Sequence, residues 1–216
     1  MNRRKNIVAV VVVLLALAAV VLIVCLSNLS PSGSRLDAMK ITILKVGKAD
    51  AIVVQTGDET LVIDAGEDED GEEVAELLTN QGICTVDTLI ITHFDKDHVG
   101  GADTLVESLE VGQVFLPDYQ GSGTEYLDFL AALEQKGIQP QRLTEPLSFR
   151  LGEADVLLEP PASYEAAEMT DALDNNFSLI TTVTHGENTL LFAGDAEKSR
   201  LREWLFRGSV RACDFL

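Results

Sequence analysis

The stretch LIITHFDKDHVGG, Leu89 to Gly101, constrains the fold of this chain more than any other. It starts as an unbroken apolar run, the pattern of a strand covered on both faces. It then presents His93, Asp95, Asp97 and His98, groups that a core does not tolerate unpaired. The strand must therefore end near His93 and deliver imidazoles and carboxylates to a loop. In an extended chain alternate positions 93, 95 and 97 point one way. Imidazole nitrogen with carboxylate oxygen is a ligand set for zinc, manganese or iron. Gly100 and Gly101 permit a tight turn and a close backbone approach before the next helix. The chain holds three histidines and spends two of them here. A single His-x-Asp would pass for an acidic loop. Four potential ligands in six residues, behind a buried strand, point to a metal centre.

The surrounding pattern is strands first, then strands alternating with helices. MKITILKVG, DAIVVQTG and ETLVIDAG read as short β segments separated by glycine or charged turns. GEEVAELLTNQG reads as a helix with Val74, Leu77 and Leu78 on one face. TEYLDFLAALEQKG is an amphipathic helix burying Tyr126, Phe129, Leu130 and Leu133, and Gly137 stops it. LSFRLGEADVLLEPP suggests two more strands, and FSLITTVTHGENTLLFAGD a hairpin about Gly186. The last helix, EKSRLREWLFRG, is predicted to turn Leu201, Trp204 and Leu205 inward.

Ahead of this domain, Ile7 to Leu26 carries no polar side chain other than Cys25. A helix of that length, at about 1.5 Å per residue, spans the ~30 Å hydrocarbon core of a bilayer. Arg3, Arg4 and Lys5 precede it and are the only charges before residue 27, which predicts a cytoplasmic N-terminus. A cleaved signal peptide is the rival reading, but its apolar region would usually be only about 7–15 residues. The sequence thus divides into a basic tip and signal anchor (1–28), a linker (29–38) and a folded domain (39–216) outside the cytoplasm. The formal net charge is −19. So acidic a domain lacks the basic footprint of a stable nucleic-acid binder, and any phosphate substrate must be held locally, most simply by metal cations. Cys84 and Cys213 lie in strand-like segments without metal-type spacing, so buried free thiols are expected.

HFDKDHVGG resembles the H-x-[HD]-x-D-H-x-G-G signature of the metallo-β-lactamase fold, and the resemblance extends over residues 40–216. ILKVGKADAIVVQTGDETLVIDAG is similar to the opening strands of that fold, with Asp64 as the aspartate before a glycine. TLLFAGDAE resembles its later strand, whose aspartate is here Asp195. The extracellular hydrolase domain of ComEC-type DNA-uptake proteins is the most similar subgroup. That likeness rests on Val46, Gly47, Asp50 and Ala51, on Asp95 where most of the superfamily has histidine, and on NNFSL.

The resemblance implies an αββα sandwich with two divalent metal ions, zinc or manganese, at one edge between the sheets. His93 and Asp95 would hold one ion, Asp97 and His98 the other, with Asp195 between them, and Asp97 could also orient the attacking water. Two cations ~3.5–4 Å apart polarise a phosphoryl oxygen and activate water near neutral pH. Asp95 in place of a nitrogen ligand shifts preference toward harder ions such as Mn²⁺. Asn175 and Asn176 fall where the superfamily usually has a further metal histidine, so they are candidates to face metals or substrate, although Asn-rich stretches also make ordinary turns. His185 is read as a turn residue. In the resembling family the strand that would follow CDFL leads to a histidine pair, so the natural chain is expected to continue beyond Leu216 and this one to bind metal weakly. The function so implied is a membrane-anchored, extracytoplasmic, metal-dependent hydrolase of phosphodiester type. The alternatives are a catalytically weak accessory domain and a hydrolase of thioesters, lactams or lactones.

Overall fold

Along the central strands, successive side chains are buried in opposite directions. The computed structural model describes residues 36–164, 174–208 and 212–214. The expected anchor at residues 7–26 lies outside them, and among the described residues no helix is long and apolar enough to cross a membrane.

Strands β1 (Leu36–Ile43), β2 (Ala51–Gly57) and β3 (Glu59–Ala65) form an antiparallel meander. Strands β4 (Thr85–Ile90), β5 (Glu110–Pro117) and β6 (Gln141–Leu143) extend it in parallel, giving a six-stranded sheet in sequence order. Parallel neighbours need crossover connections. Helix α1 (Asp70–Asn80) joins β3 to β4, α2 (Lys96–Val99) and α3 (Ala102–Ser108) join β4 to β5, and α4 (Thr124–Lys136) joins β5 to β6. Val53, Val62, Leu89, Val114 and Leu116 bury against Val74, Leu78, Leu105, Phe129 and Leu133 of these helices.

The residues between them in sequence point the other way. Ile52, Val54, Leu61, Ile63, Ile90 and Phe115 meet Leu151, Val156, Leu158, Val183, Leu190 and Phe192. The latter belong to a second, antiparallel sheet of β7 (Leu147–Leu151), β8 (Ala154–Glu159), β9 (Ile180–His185) and β10 (Asn188–Phe192), in the order 10-9-8-7. Helix α5 (Lys198–Phe206) covers its far side, where Trp204 packs with Ile180 and Leu191. The layers are therefore helix, sheet, sheet, helix, the αββα sandwich that the family resemblance implies. Strands buried on both faces explain why their apolar residues run together.

Three details differ from the sequence reading. Strand β1 begins at Leu36, within the stretch read as linker. Leu205 is 52% exposed and Arg200, at 1%, takes the inward place on α5. Each nitrogen of its guanidinium finds a partner there: Nε donates to Ser178 O at 3.1 Å, a second nitrogen to Glu203 Oε2 at 3.1 Å, and the third to the Glu159 carbonyl. A long cation so satisfied is buried more readily than a leucine whose face of the helix has no sheet beneath it. Cys84 and Cys213 are exposed and not buried. Next to Cys213, Asp214 N donates to Thr189 O and Thr189 N to Asp214 Oδ2, both at 2.8 Å, so this segment lies along β10.

Candidate metal centre

Four backbone junctions converge at one end of the sandwich: Asp50 just before β2, Asp64 at the end of β3, the His93 loop after β4, and Asp195 after β10. The two adjacent glycines make the convergence possible. A Cβ on Gly101 would lie 2.6 Å from Gly71 Cα at the start of α1, and one on Gly100 would lie 2.6 Å from Asp68 N. The backbone after His98 therefore touches the turn after Asp64, and only glycine fits.

Asp64 is the hinge of the arrangement. It has φ +56°, the one positive value among the described non-glycine residues. Such a conformation costs on the order of 1–3 kcal/mol. Its carboxylate is held by three short hydrogen bonds: from Thr92 N at 2.7 Å, from Thr92 Oγ1 at 2.7 Å, and with His98 Nδ1 at 2.8 Å. Because the Thr92 hydroxyl gives its proton to Asp64, its oxygen is left to accept from His93 Nδ1 at 3.1 Å. Both histidines thus carry a proton on Nδ1, an assignment that follows from the hydrogen-bond network. Both turn Nε2 away from these partners. Ser178 Oγ, 3.5 Å from His93 Nδ1, adds a weaker contact on the same side.

The two Nε2 atoms are the features that identify the site. His93 and His98 are fully buried, and each Nε2 lacks a hydrogen-bond partner among the described residues. The rings lie 4.1 Å apart between centroids. His93 Nε2 faces Asp95 Oδ2 at 3.6 Å and His98 Nε2 faces Asp195 Oδ1 at 3.5 Å, both longer than hydrogen bonds. Buried imidazole nitrogens opposite carboxylates at that spacing leave room for cations between them. Fixing a ligating histidine through its other nitrogen is what metal sites require. The donor set, two imidazoles and carboxylates, suits zinc or manganese. The residues present therefore fit divalent metal.

Ligand atoms of His93, His98 and Asp195 meet within 4.8 Å, and so do those of Asp50, Asp64 and His98. Asp95 faces His93 as above. Asp97, on α2, is half-buried; its carboxylate joins neither cluster, while its carbonyl accepts from Asp50 N at 3.2 Å. Asn176 spends its side-chain oxygen on Ser199 Oγ (2.9 Å) and Arg200 N (3.1 Å), at the start of α5. Asn175 Nδ2 reaches Glu197 Oε1 at 3.4 Å. His185 ends β9 beside Met39, Asn188 and Asp214, apart from the site.

The charges are tightly coupled. Burial alone would depress His98, but the Asp64 carboxylate, with Asp195 and Asp50, outweighs it and pushes the imidazole up to about 9. The neighbouring His93 holds Asp95 below the usual carboxylate range. Burial, then Asp64, raises Asp50, while burial and the adjacent Asp95 raise Asp174. Thr92, Asp50 and Asp174 have no assigned role in the sequence reading. Asp50 belongs to a quoted motif, but a hydroxyl or carboxylate of that kind carries no signal until the fold brings it to the histidines.

An αββα sandwich with histidines and aspartates gathered after β4 and β10 defines a metallo-hydrolase class of protein. The metallo-beta-lactamase superfamily profile matches residues 44–211, and the chain belongs to that superfamily. It is similar to Recombination protein 2 of Haemophilus influenzae (27% identity; 80% of this chain, 20% of that protein). It is also similar to ComE operon protein 3 of Bacillus subtilis (28% identity; 62% of this chain, 17% of that protein). The chain therefore matches about a fifth of the length of these relatives. Among solved structures, MEM-A1, a subclass B3 metallo-beta-lactamase from a soil metagenome library, superposes with TM-score 0.56 at 12% identity, covering 87% of this chain and 77% of that one. A Cronobacter sakazakii metallo-beta-lactamase with a HARLDQ motif gives 0.52 at 14%, covering 78% and 66%. These likenesses concern the fold.

Proposed function

We propose that the chain is a metal-dependent phosphodiesterase, anchored in the membrane through residues 7–26, with the sandwich outside the cytoplasm. The observation that carries the hydrolase part is the pair of buried, unpartnered Nε2 atoms facing Asp95 and Asp195. His93 with Asp95 would hold one cation and His98 with Asp195 the other. What the cations supply when bound is polarisation of the scissile group and acidification of a water. The chain's own residues do the rest. Thr92 and Asp64 keep both Nδ1 atoms protonated so that both Nε2 atoms face the ions. Asp97, on α2 beside them, is the candidate to orient the attacking water.

Phosphodiesters are favoured over lactams for two reasons. The relatives by sequence are a recombination protein and a competence-operon protein, not lactamases. The oxygen-rich donor set also suits harder ions, which pair with phosphate. A net charge of −19 is compatible with an anionic substrate when cations meet it in place of lysines. The test is hydrolysis of bis-p-nitrophenyl phosphate by the full chain, alongside a chromogenic β-lactam, with metal content measured on the same sample. Turnover of the phosphodiester that chelator abolishes and Mn²⁺ or Zn²⁺ restores is expected. Turnover of the lactam alone would overturn the substrate class. A metal-free, inactive protein that takes up no added ion would overturn the hydrolase itself.

A further inference from the structure

The geometry points to Asp50 as a metal ligand, bound to the ion that His98 and Asp195 hold. This rests on the two-cation reading above and extends it to a residue outside the histidine loop.

One carboxylate oxygen of Asp50, one of Asp64 and a ring nitrogen of His98 lie within 4.8 Å of one another. Of the two aspartates, Asp64 is already committed. Its oxygens accept from Thr92 N and Thr92 Oγ1 and pair with His98 Nδ1. A carboxylate holding three such partners orients the histidine and has little capacity left for an ion. Asp50 is different. Among the described residues its backbone is anchored and its carboxylate is not. Its amide donates to Asp97 O at 3.2 Å and its carbonyl accepts from Gly66 N at 2.9 Å. The connection between β1 and β2 is thereby laced both to the histidine loop and to the turn after Asp64. That anchoring fixes where the side chain starts.

The independent sign of a ligand is His98 itself. It is fully buried, its Nε2 has no hydrogen-bond partner among the described residues, and Asp195 stands 3.5 Å from that atom. Asp50, Asp64 and Asp195 surround one imidazole, so a single positive charge faces three carboxylates. A divalent cation at Nε2 offsets two of those three negative charges, whereas the imidazolium alone offsets one. The ligand supply requires the same addition. His98 and Asp195 give the second ion two protein ligands, and the Asp97 carboxylate joins neither cluster. Asp50 brings the count to three, the usual number at a catalytic site that keeps a position open. Asp50 also lines a cleft of about 360 Å³ with Ile43, Ile52, Ile63, Leu191 and Phe192, so its side chain borders open space.

The experiment is Mn²⁺ titration of the full chain, followed by calorimetry and by the loss of the free Mn²⁺ paramagnetic resonance signal. It compares wild type, Asp50→Asn, Asp50→Ser and the distant Asp58→Asn, which removes the same charge from an exposed turn. The expected result is two ions in wild type and in Asp58→Asn. In both Asp50 variants one ion should remain unchanged and the other weaken by at least about tenfold, the smallest effect usual for groups supporting a metal site. Two ions bound with wild-type affinities in folded Asp50→Asn and Asp50→Ser would overturn the assignment while leaving the two-cation reading intact. Wild type that binds no Mn²⁺ or Zn²⁺ would overturn that reading and this one with it. Far-ultraviolet circular dichroism and thermal melting on the same samples establish that the variants are folded, and the two substitutions of different size guard against one failing to fold.

Discussion

Metal binding to this protein should release close to one proton from His98, and its pH dependence follows from the structure. Burial would lower this imidazole, but Asp64, Asp195 and Asp50 raise it from 6.5 to about 9 in the metal-free fold. The proton displaced is the one on Nε2, since Nδ1 is tied to Asp64 at 2.8 Å. A pH of 7 lies about two units below the group's folded value, and each unit is worth about 1.4 kcal/mol, so displacing the proton costs on the order of 3 kcal/mol. The apparent affinity of the ion bound to His98 should therefore be about a hundredfold below its limit at pH 7 and rise about tenfold per pH unit toward 9. The ion at His93 and Asp95 has no such requirement from His98 and should respond less.

The assay is Mn²⁺ calorimetry between pH 6.5 and 8.5 in buffers of different ionisation enthalpy, which separates released protons from binding heat. Asp64→Asn is the matched perturbation. With the foremost stabilising charge gone, burial dominates, His98 falls, and the slope should flatten. A wild-type affinity that is constant over this range, or proton release near zero at pH 7, would refute the electrostatic argument. The same shift has a stability consequence of definite sign. A group whose folded value lies above its unfolded one stabilises the fold fully below the unfolded value. That stabilisation is lost as pH rises through the folded value. Metal-free protein should therefore lose stability, on the order of 3 kcal/mol, between pH 6.5 and 9, and bound metal should remove most of that loss.

His98→Ala should abolish turnover and lose one metal equivalent. Because it strands the buried Asp64 carboxylate, it should also cost about 3–5 kcal/mol in urea unfolding of the metal-free protein. Asp97→Asn should abolish phosphodiester turnover while the urea midpoint stays near wild type, since its carboxylate joins neither buried cluster; near-normal turnover would remove Asp97 from the mechanism. Gly101→Ala places a Cβ 2.6 Å from Gly71 Cα and should destabilise the fold and weaken both metals together, measured by melting and by titration. Asn176→Ala removes the acceptor for Ser199 and Arg200 N, so it should cost about 0.5–2 kcal/mol, the usual range for a lost helix cap, with KM unchanged. A raised KM without loss of stability would instead place Asn176 at the substrate.

The strands of the fold were legible because burial on both faces leaves a signature in sequence, while the order of the layers came with the family resemblance. Ile52-Val53-Val54 and Leu61-Val62-Ile63 are continuous apolar runs, and in the structure alternate members serve the helix layer and the inter-sheet core. Helix ends were legible where glycine chemistry marks them, as at Gly137 with φ +71°. The outer helix was only half legible. Periodicity places Leu201, Trp204 and Leu205 inward, but it cannot weigh an arginine that completes its hydrogen bonds at Glu159 and Ser178 against a leucine at the rim. Nor does it register a three-residue strand such as Gln141–Leu143, too short for any alternation to appear.

The site divides along the same line. A ligand cluster within one loop can be recognised because four chemically unusual residues stand within six positions. The groups that orient those histidines come from 34 to 85 positions away, or from the adjacent Thr92, whose type is unremarkable. Asp64 meets Thr92 across 28 residues and His98 across 34, and Ser178 reaches His93 across 85. Nothing in the composition of a Thr-His dipeptide announces that the threonine hydroxyl will pass a proton to a distant aspartate and so choose the tautomer of its neighbour. That choice decides whether His93 turns a lone pair or a proton toward Asp95. The loop thus names the elements that could bind metal, and the turn at Asp64, held in a conformation few non-glycine residues adopt, decides which nitrogen does so.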